Sequence, residues 1–135
     1  MPRKVYVDAN VFLRHLLQDI PDQAAEAEAL FTDAVAGKVS LHTSDLVIAE
    51  LVWTLESFYK RTKREIADFL EALITTNNFH FDNRPVLERA VRGYASLNVD
   101  FIDAHSAAYA LDKGISHVKT FDKKHYRRFT DLEII

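Results

Sequence analysis

The sequence predicts an α/β fold, specifically a three-layer α/β/α sandwich with a central, mainly parallel sheet. Short β-favouring runs alternate with longer segments of helical periodicity along the chain. Strands separated by helices lie parallel and are joined by right-handed crossovers, which place helices on both faces of the sheet. Because no repeat, low-complexity tract or linker interrupts the sequence, we expect residues 1–135 to form one domain.

The first half of the chain carries start and stop signals for helices. Pro21 opens a helix, and Gly37 is suited to end it because glycine tolerates a left-handed cap. Thr62 and Glu65 have the spacing of a capping box. The expected elements are a strand over residues 5–7 that ends at Asp8, helices over residues 11–17 and 23–36, a strand over residues 39–42, a helix over residues 45–59 capped by Thr43 and Ser44, and a helix over residues 63–75.

The second half of the chain continues the alternation of strands and helices. Asn83 and Pro85 mark one helix start, while Asp100 begins a further helix that Gly114 ends. The expected elements are a strand over residues 79–81, helices over residues 83–97 and 100–114, a strand over residues 117–120 and an edge strand over residues 132–135.

The composition excludes several classes of function. The absence of cysteine excludes disulfide scaffolds, thiolate zinc sites and cysteine nucleophiles. Three glycines form no phosphate-binding loop, and the six histidines lack zinc-hydrolase spacing, so each histidine is expected to be structural. No segment is apolar enough to span a bilayer or to serve as a leader, so we expect a cytoplasmic protein. The formal net charge of -3 argues against a protein that coats nucleic acid.

Four scattered carboxylates are the candidate chemical site. Asp8 and Asp122 follow strands and Asp103 lies in the first turn of a helix, so all three are expected at the sheet edge where open α/β folds bind ligands. Glu50 is the only charged residue within positions 46–55, a pattern that predicts a buried glutamate without a neighbouring cation. Mg²⁺ or Mn²⁺ would stabilise such carboxylates, activate water and stabilise charge on an attacked phosphate.

Each of these carboxylates also has a purely structural explanation. Asp8 can cap a helix, and Asp103 follows Asp100 at the spacing of an acidic capping box. Asp122 suits a solvated turn, and Glu50 can reach solvent or a distant arginine. The set as a whole, rather than any single member, therefore favours a metal site.

Positive charge is concentrated in two clusters. The cluster at residues 60–64 is expected to be solvated surface. The cluster at residues 119–128 includes Lys123, Lys124, Arg127 and Arg128, which are candidates for guiding an RNA backbone. A net acidic chain can therefore still present a local basic surface.

Four segments in this order resemble the PIN-domain family, particularly the VapC toxins of toxin-antitoxin pairs. The first is VYVDANVFL at residues 5–13, and the second is IAELVW at residues 48–53. The third is DFIDAHSAAYA at residues 100–110, and the fourth is VKTFD at residues 118–122, followed by aromatic residues. No single segment is specific, but their order and spacing together are, and the resemblance covers essentially the whole chain.

The resemblance implies an endoribonuclease that depends on Mg²⁺ or Mn²⁺ and cleaves RNA phosphodiester bonds. It implies that metal ligands and water activators are supplied by Asp8, Glu50, Asp103 and Asp122, with Asn10 and Thr120 orienting them. Asp100 would either assist or only cap its helix. The resemblance further implies a homodimer and a cognate antitoxin that occupies the acidic groove.

Two other functions compete with this interpretation. One is a metal-dependent phosphatase in which Asp8 is the nucleophile, although Asn10 stands where such enzymes have a second aspartate. The other is a catalytically silent module that binds RNA or protein. An intact carboxylate set argues against a silent module.

Overall fold

The computed structural model describes residues 2–135, which divide into two compact units, one ending at Asp82 and one spanning Asn83–Ile135. The division falls at the start of a helix that Asn83 caps. No helix within residues 2–135 combines the length and the apolar character needed to cross a membrane. The expectation that the whole chain forms one domain stays a prediction.

The first unit is a parallel sheet with four helices. Its strands have the order β1-β2-β3 and are all parallel, with Val5 opposite Leu41 and Leu41 opposite Phe79. Helices follow β1 and β2, as parallel pairing requires. The elements are β1 (Arg3–Tyr6), α1 (Ala9–Leu17), α2 (Pro21–Val35), β2 (Val39–His42), α3 (Asp45–Ser57), α4 (Lys63–Ile74) and β3 (Phe79–His80).

The second unit is built on two packed helices and a short parallel strand pair. The two helices pack against each other, and the strands pair in parallel with His117 opposite Glu133. Its elements are α5 (Arg84–Ser96), α6 (Phe101–Asp112), β4 (His117–Val118), α7 (Lys123–Tyr126) and β5 (Glu133–Ile134). Every strand pair among residues 2–135 is parallel, which confirms the predicted α/β class with a mainly parallel sheet.

The helix boundaries follow the signals in the sequence. Thr62 and Glu65 form the predicted reciprocal capping box, and Gly37 has the left-handed φ of +82° after α2. Ser44 accepts a hydrogen bond from Val47 N at 3.3 Å and so caps α3. Within residues 2–135, the unpredicted element is α7, which spans four residues and is too short to show helical periodicity.

Phe31 of α2 is the centre of an aromatic cluster in the first unit. Its ring centroid lies 5.8 Å from that of Phe12 in α1 and 5.2 Å from that of Phe79 in β3. The His15 ring packs edge-on against Phe31 at 4.6 Å. Phe31 thereby packs α2 against both α1 and β3.

The His15 imidazole makes stability depend on pH. Its Nδ1 is buried and has no hydrogen-bond partner, and burial lowers the pKa of His15, an effect that the Glu28 carboxylate partly opposes. Below its ordinary pKa of about 6.5, His15 is protonated in the unfolded chain but stays neutral in the folded protein. The free energy of unfolding therefore falls as the pH falls through this range. We expect His15→Leu to reduce the loss of unfolding free energy between about pH 7.5 and about pH 5, measured by urea titration. An unchanged pH dependence would contradict this expectation.

Gly93 in the interior of α5 is a site for stabilisation. A Cβ added there would meet Ala104 Cβ at 3.6 Å and Phe129 Cε1 at 3.7 Å, which are ordinary contacts. Because glycine costs about 0.5 to 1 kcal/mol relative to alanine in a helix, we expect Gly93→Ala to raise the unfolding free energy by about that amount. Gly114→Ala is the control, since its φ of +74° makes alanine unfavourable and destabilising. A lower urea midpoint for Gly93→Ala would contradict the prediction.

Candidate metal centre

The second unit brings Asp103, Asp122 and His125 together. Their ligand atoms all lie within 4.8 Å of one another. His125 Nδ1 is 2.8 Å from Asp122 Oδ2 and 3.9 Å from Asp103 Oδ2. The cluster therefore offers two carboxylates and one imidazole nitrogen to the same small volume.

Local hydrogen bonds hold the two aspartates in place. Asp100 is the N-cap of α6, and its Oδ1 accepts a hydrogen bond from Asp103 N at 2.7 Å. Thr120 Oγ1 accepts one from Asp122 N at 2.9 Å. Asp122 in turn caps α7 by accepting from His125 N at 3.4 Å. The predicted supporting residues Asp100 and Thr120 thus contact the two carboxylate residues through the backbone.

The electrostatics of the cluster favour a cation. Partial burial raises the pKa of Asp103, and the nearby carboxylates of Asp100 and Asp122 raise it further. The hydrogen bond from His125 lowers the pKa of Asp122. Asp103 thus carries its negative charge at a cost that a divalent cation would remove.

The donor set fits a divalent ion such as Mg²⁺ or Mn²⁺. Carboxylate oxygens are the ligands that both ions accept, and imidazole nitrogen is compatible with transition metals. Asp103, Asp122 and His125 would hold such an ion in this unit. The mutual repulsion of the carboxylates supplies a physical reason for an ion to bind there.

In the first unit, Asp8 follows β1 as predicted. Val7 N donates to His42 O at 2.9 Å, and the buried Thr43 hydroxyl donates to Val7 O at 2.9 Å, which fixes the end of the strand. The exposed Asp8 caps α1 by accepting from Ala9 N at 2.8 Å. Its position at the carboxyl end of a parallel strand fits both a structural and a chemical role.

The prediction that Glu50 is buried is wrong, because its side chain lies on the exposed face of α3. Leu46 is 83% exposed and Trp53 is 64% exposed on the same face, at helical spacing from Glu50. Helix α3 thus contains apolar residues on its exposed face as well as on its buried face. Glu50 therefore needs no buried partner, because solvent can solvate its charge. Asn10, in the first turn of α1, is also exposed.

The basic residues of the second cluster differ in how available they are. Lys123, Lys124 and Arg127 are exposed in or next to α7. Arg128 is half-buried, and its Nη1 donates to Leu97 O at 3.1 Å and Asn98 O at 2.7 Å. Arg128 thus stabilises the turn before α6, while Lys123, Lys124 and Arg127 are exposed to solvent.

His125 was not among the residues predicted for the site. The sequence contains a signal for it, because the three-residue spacing from Asp122 places both side chains on one face of a helical turn. This spacing is informative only if residues 123–126 are known to form a helical turn. The structure therefore adds a nitrogen donor to a site expected to be built from oxygen ligands.

Comparisons with known proteins place the chain in a family. The PIN domain family model matches residues 5–130. The VapC ribonuclease of Aquifex aeolicus (strain VF5) is 25% identical over 118 residues, which cover 87% of each chain. The family match agrees with the predicted three-layer α/β/α class. Because the match spans nearly the whole chain, this protein belongs to the PIN-domain family.

Proposed function

We propose that this protein is a metal-dependent endoribonuclease and the toxin of a type II toxin-antitoxin pair. The observation that carries the proposal is the cluster of Asp103, Asp122 and His125 in a PIN-domain chain. The similarity to a protein named VapC ribonuclease supports RNA as the substrate and an antitoxin as the partner. A single PIN-like domain over residues 1–135, a cytoplasmic location and a homodimer are parts of the same proposal.

The proposed roles follow from the chemistry of each side chain. A bound Mg²⁺ or Mn²⁺ would supply stabilisation of negative charge on the attacked phosphate. Asp103 and Asp122 would hold the ion, and Thr120 keeps Asp122 oriented by accepting a hydrogen bond from its backbone N–H. Asp8 and Glu50 are assigned as further ligands or water activators, with Asn10 as a supporting residue, by their positions in the sequence.

Hydrolysis also requires proton transfer and substrate alignment. The attacking water loses a proton, which a carboxylate of this set accepts, and the leaving oxygen takes a proton from solvent water. Lys123, Lys124 and Arg127 are exposed and near Asp122 in sequence, so we assign them contacts with RNA phosphates. Arg128 is assigned a weaker role because its guanidinium already binds two carbonyls.

The proposal is tested by incubating the purified protein with a mixed pool of single-stranded RNA. Separate reactions contain Mg²⁺, Mn²⁺ or EDTA, and Asp8→Ala is assayed beside the wild type. We expect cleavage with either metal, none with EDTA, and none with the variant. Cleavage that persists in EDTA would contradict metal dependence. Failure to cleave RNA, together with release of phosphate from a phosphomonoester, would favour the phosphatase alternative.

A further inference from the structure

The unexpected member of the cluster, His125, has a geometry suited to direct metal ligation. The donor atoms lie within 4.8 Å of one another, which is no more than about twice the ion-to-ligand distance of about 2.0 to 2.6 Å found for divalent cations. Neighbouring ligands of an octahedral ion at about 2.1 Å lie about 3 Å apart. The separations of His125 Nδ1 from Asp122 Oδ2 and Asp103 Oδ2, 2.8 and 3.9 Å, bracket that value.

The His125 ring is also accessible to an ion from solvent. Its side chain is 38% exposed, whereas that of Asp103 is 17% exposed. Without an ion, Nδ1–H donates to Asp122; with the ring hydrogen on Nε2 instead, Nδ1 would offer its lone pair to an ion held between the carboxylates. An ion entering the cluster would therefore meet one nitrogen and two carboxylates at once.

We propose that His125 is a metal ligand through Nδ1 and that it makes the centre prefer Mn²⁺ to Mg²⁺. This inference rests on the proposed function, because it concerns the metal of the same site. Mg²⁺ strongly prefers oxygen ligands and retains its waters, whereas imidazole is a good ligand for transition metals. Replacing one oxygen of an acidic site by an imidazole nitrogen thus shifts the relative affinity toward Mn²⁺.

The alternative role for His125 is positioning, in which the ring only donates a hydrogen bond to Asp122. His125→Asn separates the two roles, since its amide still offers an N–H near the position of Nδ1 but has no imidazole lone pair. The matched control is His117→Asn. His117 is exposed on β4, pairs with Glu133 at 3.2 Å and is outside the cluster.

The experiment titrates the full-length protein with Mn²⁺ and follows bound ion by electron paramagnetic resonance, without any RNA. In the wild type and in His117→Asn, pulsed spectra are expected to show coupling of Mn²⁺ to a directly bound nitrogen nucleus. In His125→Asn the coupling should vanish and the Mn²⁺ dissociation constant should rise by about tenfold or more. In competition experiments with Mg²⁺, the Mg²⁺ dissociation constant of His125→Asn should differ from that of the wild type by less than about threefold.

The outcomes distinguish this inference from the function on which it rests. Tight Mn²⁺ binding without nitrogen coupling, unaltered in His125→Asn, would overturn ligation by His125 and leave the metal centre in place. Equal losses of Mn²⁺ and Mg²⁺ affinity in His125→Asn, again without nitrogen coupling in the wild type, would assign the residue to positioning. Absence of any Mn²⁺ binding by the wild type would overturn both the inference and the proposed metal-dependent nuclease.

Discussion

Asp103→Asn is expected to abolish metal-dependent RNA cleavage while raising the thermal stability of the metal-free protein. In the proposed mechanism the charge of this carboxylate holds the ion, and such an ion would supply several kcal/mol of transition-state stabilisation. We therefore expect cleavage to fall by about a thousandfold or more. The rate of RNA cleavage at saturating Mn²⁺ measures the first effect.

The stability effect has the opposite sign because of the electrostatics of the cluster. Burial and the neighbouring carboxylates raise the pKa of Asp103, so the folded protein holds its proton more tightly than the unfolded chain does. Stability is therefore lost as the pH rises through the pKa of this group in the folded state. The neutral asparagine removes that penalty at neutral pH, and the melting temperature in EDTA should rise. Added Mn²⁺ should no longer raise it.

Asp112→Asn is the matched control for Asp103→Asn. Asp112 lies on the same helix, is exposed and accepts a hydrogen bond from Asn83 Nδ2 at 3.3 Å, which an amide oxygen can also accept. This variant should cleave RNA and respond to Mn²⁺ as the wild type does. If Asp103→Asn retained full metal-dependent activity, the assignment of Asp103 to the site would be wrong.

Phe31→Ala is expected to cause the largest loss of stability in the first unit. The ring is 7% exposed and contacts Phe12 and His15 of α1 and Phe79 of β3. Truncation of a buried phenylalanine costs about 3 to 5 kcal/mol through lost transfer energy and the cavity that remains. Urea unfolding followed by circular dichroism measures the change.

Phe58→Ala is the control for Phe31→Ala. Phe58 is 74% exposed, so the same truncation should change the unfolding free energy by no more than about 0.5 kcal/mol. Similar losses in the two variants would mean that the aromatic cluster does not stabilise the unit beyond ordinary surface contacts.

Much of the fold could be predicted because local signals and tertiary structure agree. The box of Thr62 and Glu65, the cap at Asp100 and the glycine after α2 each mark a boundary that the structure retains. The strands were harder to bound, since β3, β4 and β5 have two residues each and their pairing depends on distant partners. The helix at residues 123–126 depends on the Asp122 cap rather than on any apolar pattern.

The candidate site was predictable only in part. Asp103 and Asp122 were identified because acidic residues near strand ends and helix starts share one edge of an α/β fold. The exposure of Glu50 could not be predicted, because its apolar neighbours Leu46 and Trp53 are themselves exposed, and sequence hydrophobicity does not specify which face of a helix is covered. His125 was missed because its spacing becomes informative only in a helical turn.

Two of the acidic residues, Asp8 and Asp122, are also helix N-caps. Asparagine caps a helix about as well as aspartate, and a single nucleotide change converts any aspartate codon into an asparagine codon. Loss of charge at either position should therefore leave a folded, soluble protein. If the proposed nuclease activity harms the cells that carry it, inactive alleles should accumulate as full-length missense variants at these codons, and those cells would still produce normal amounts of the protein.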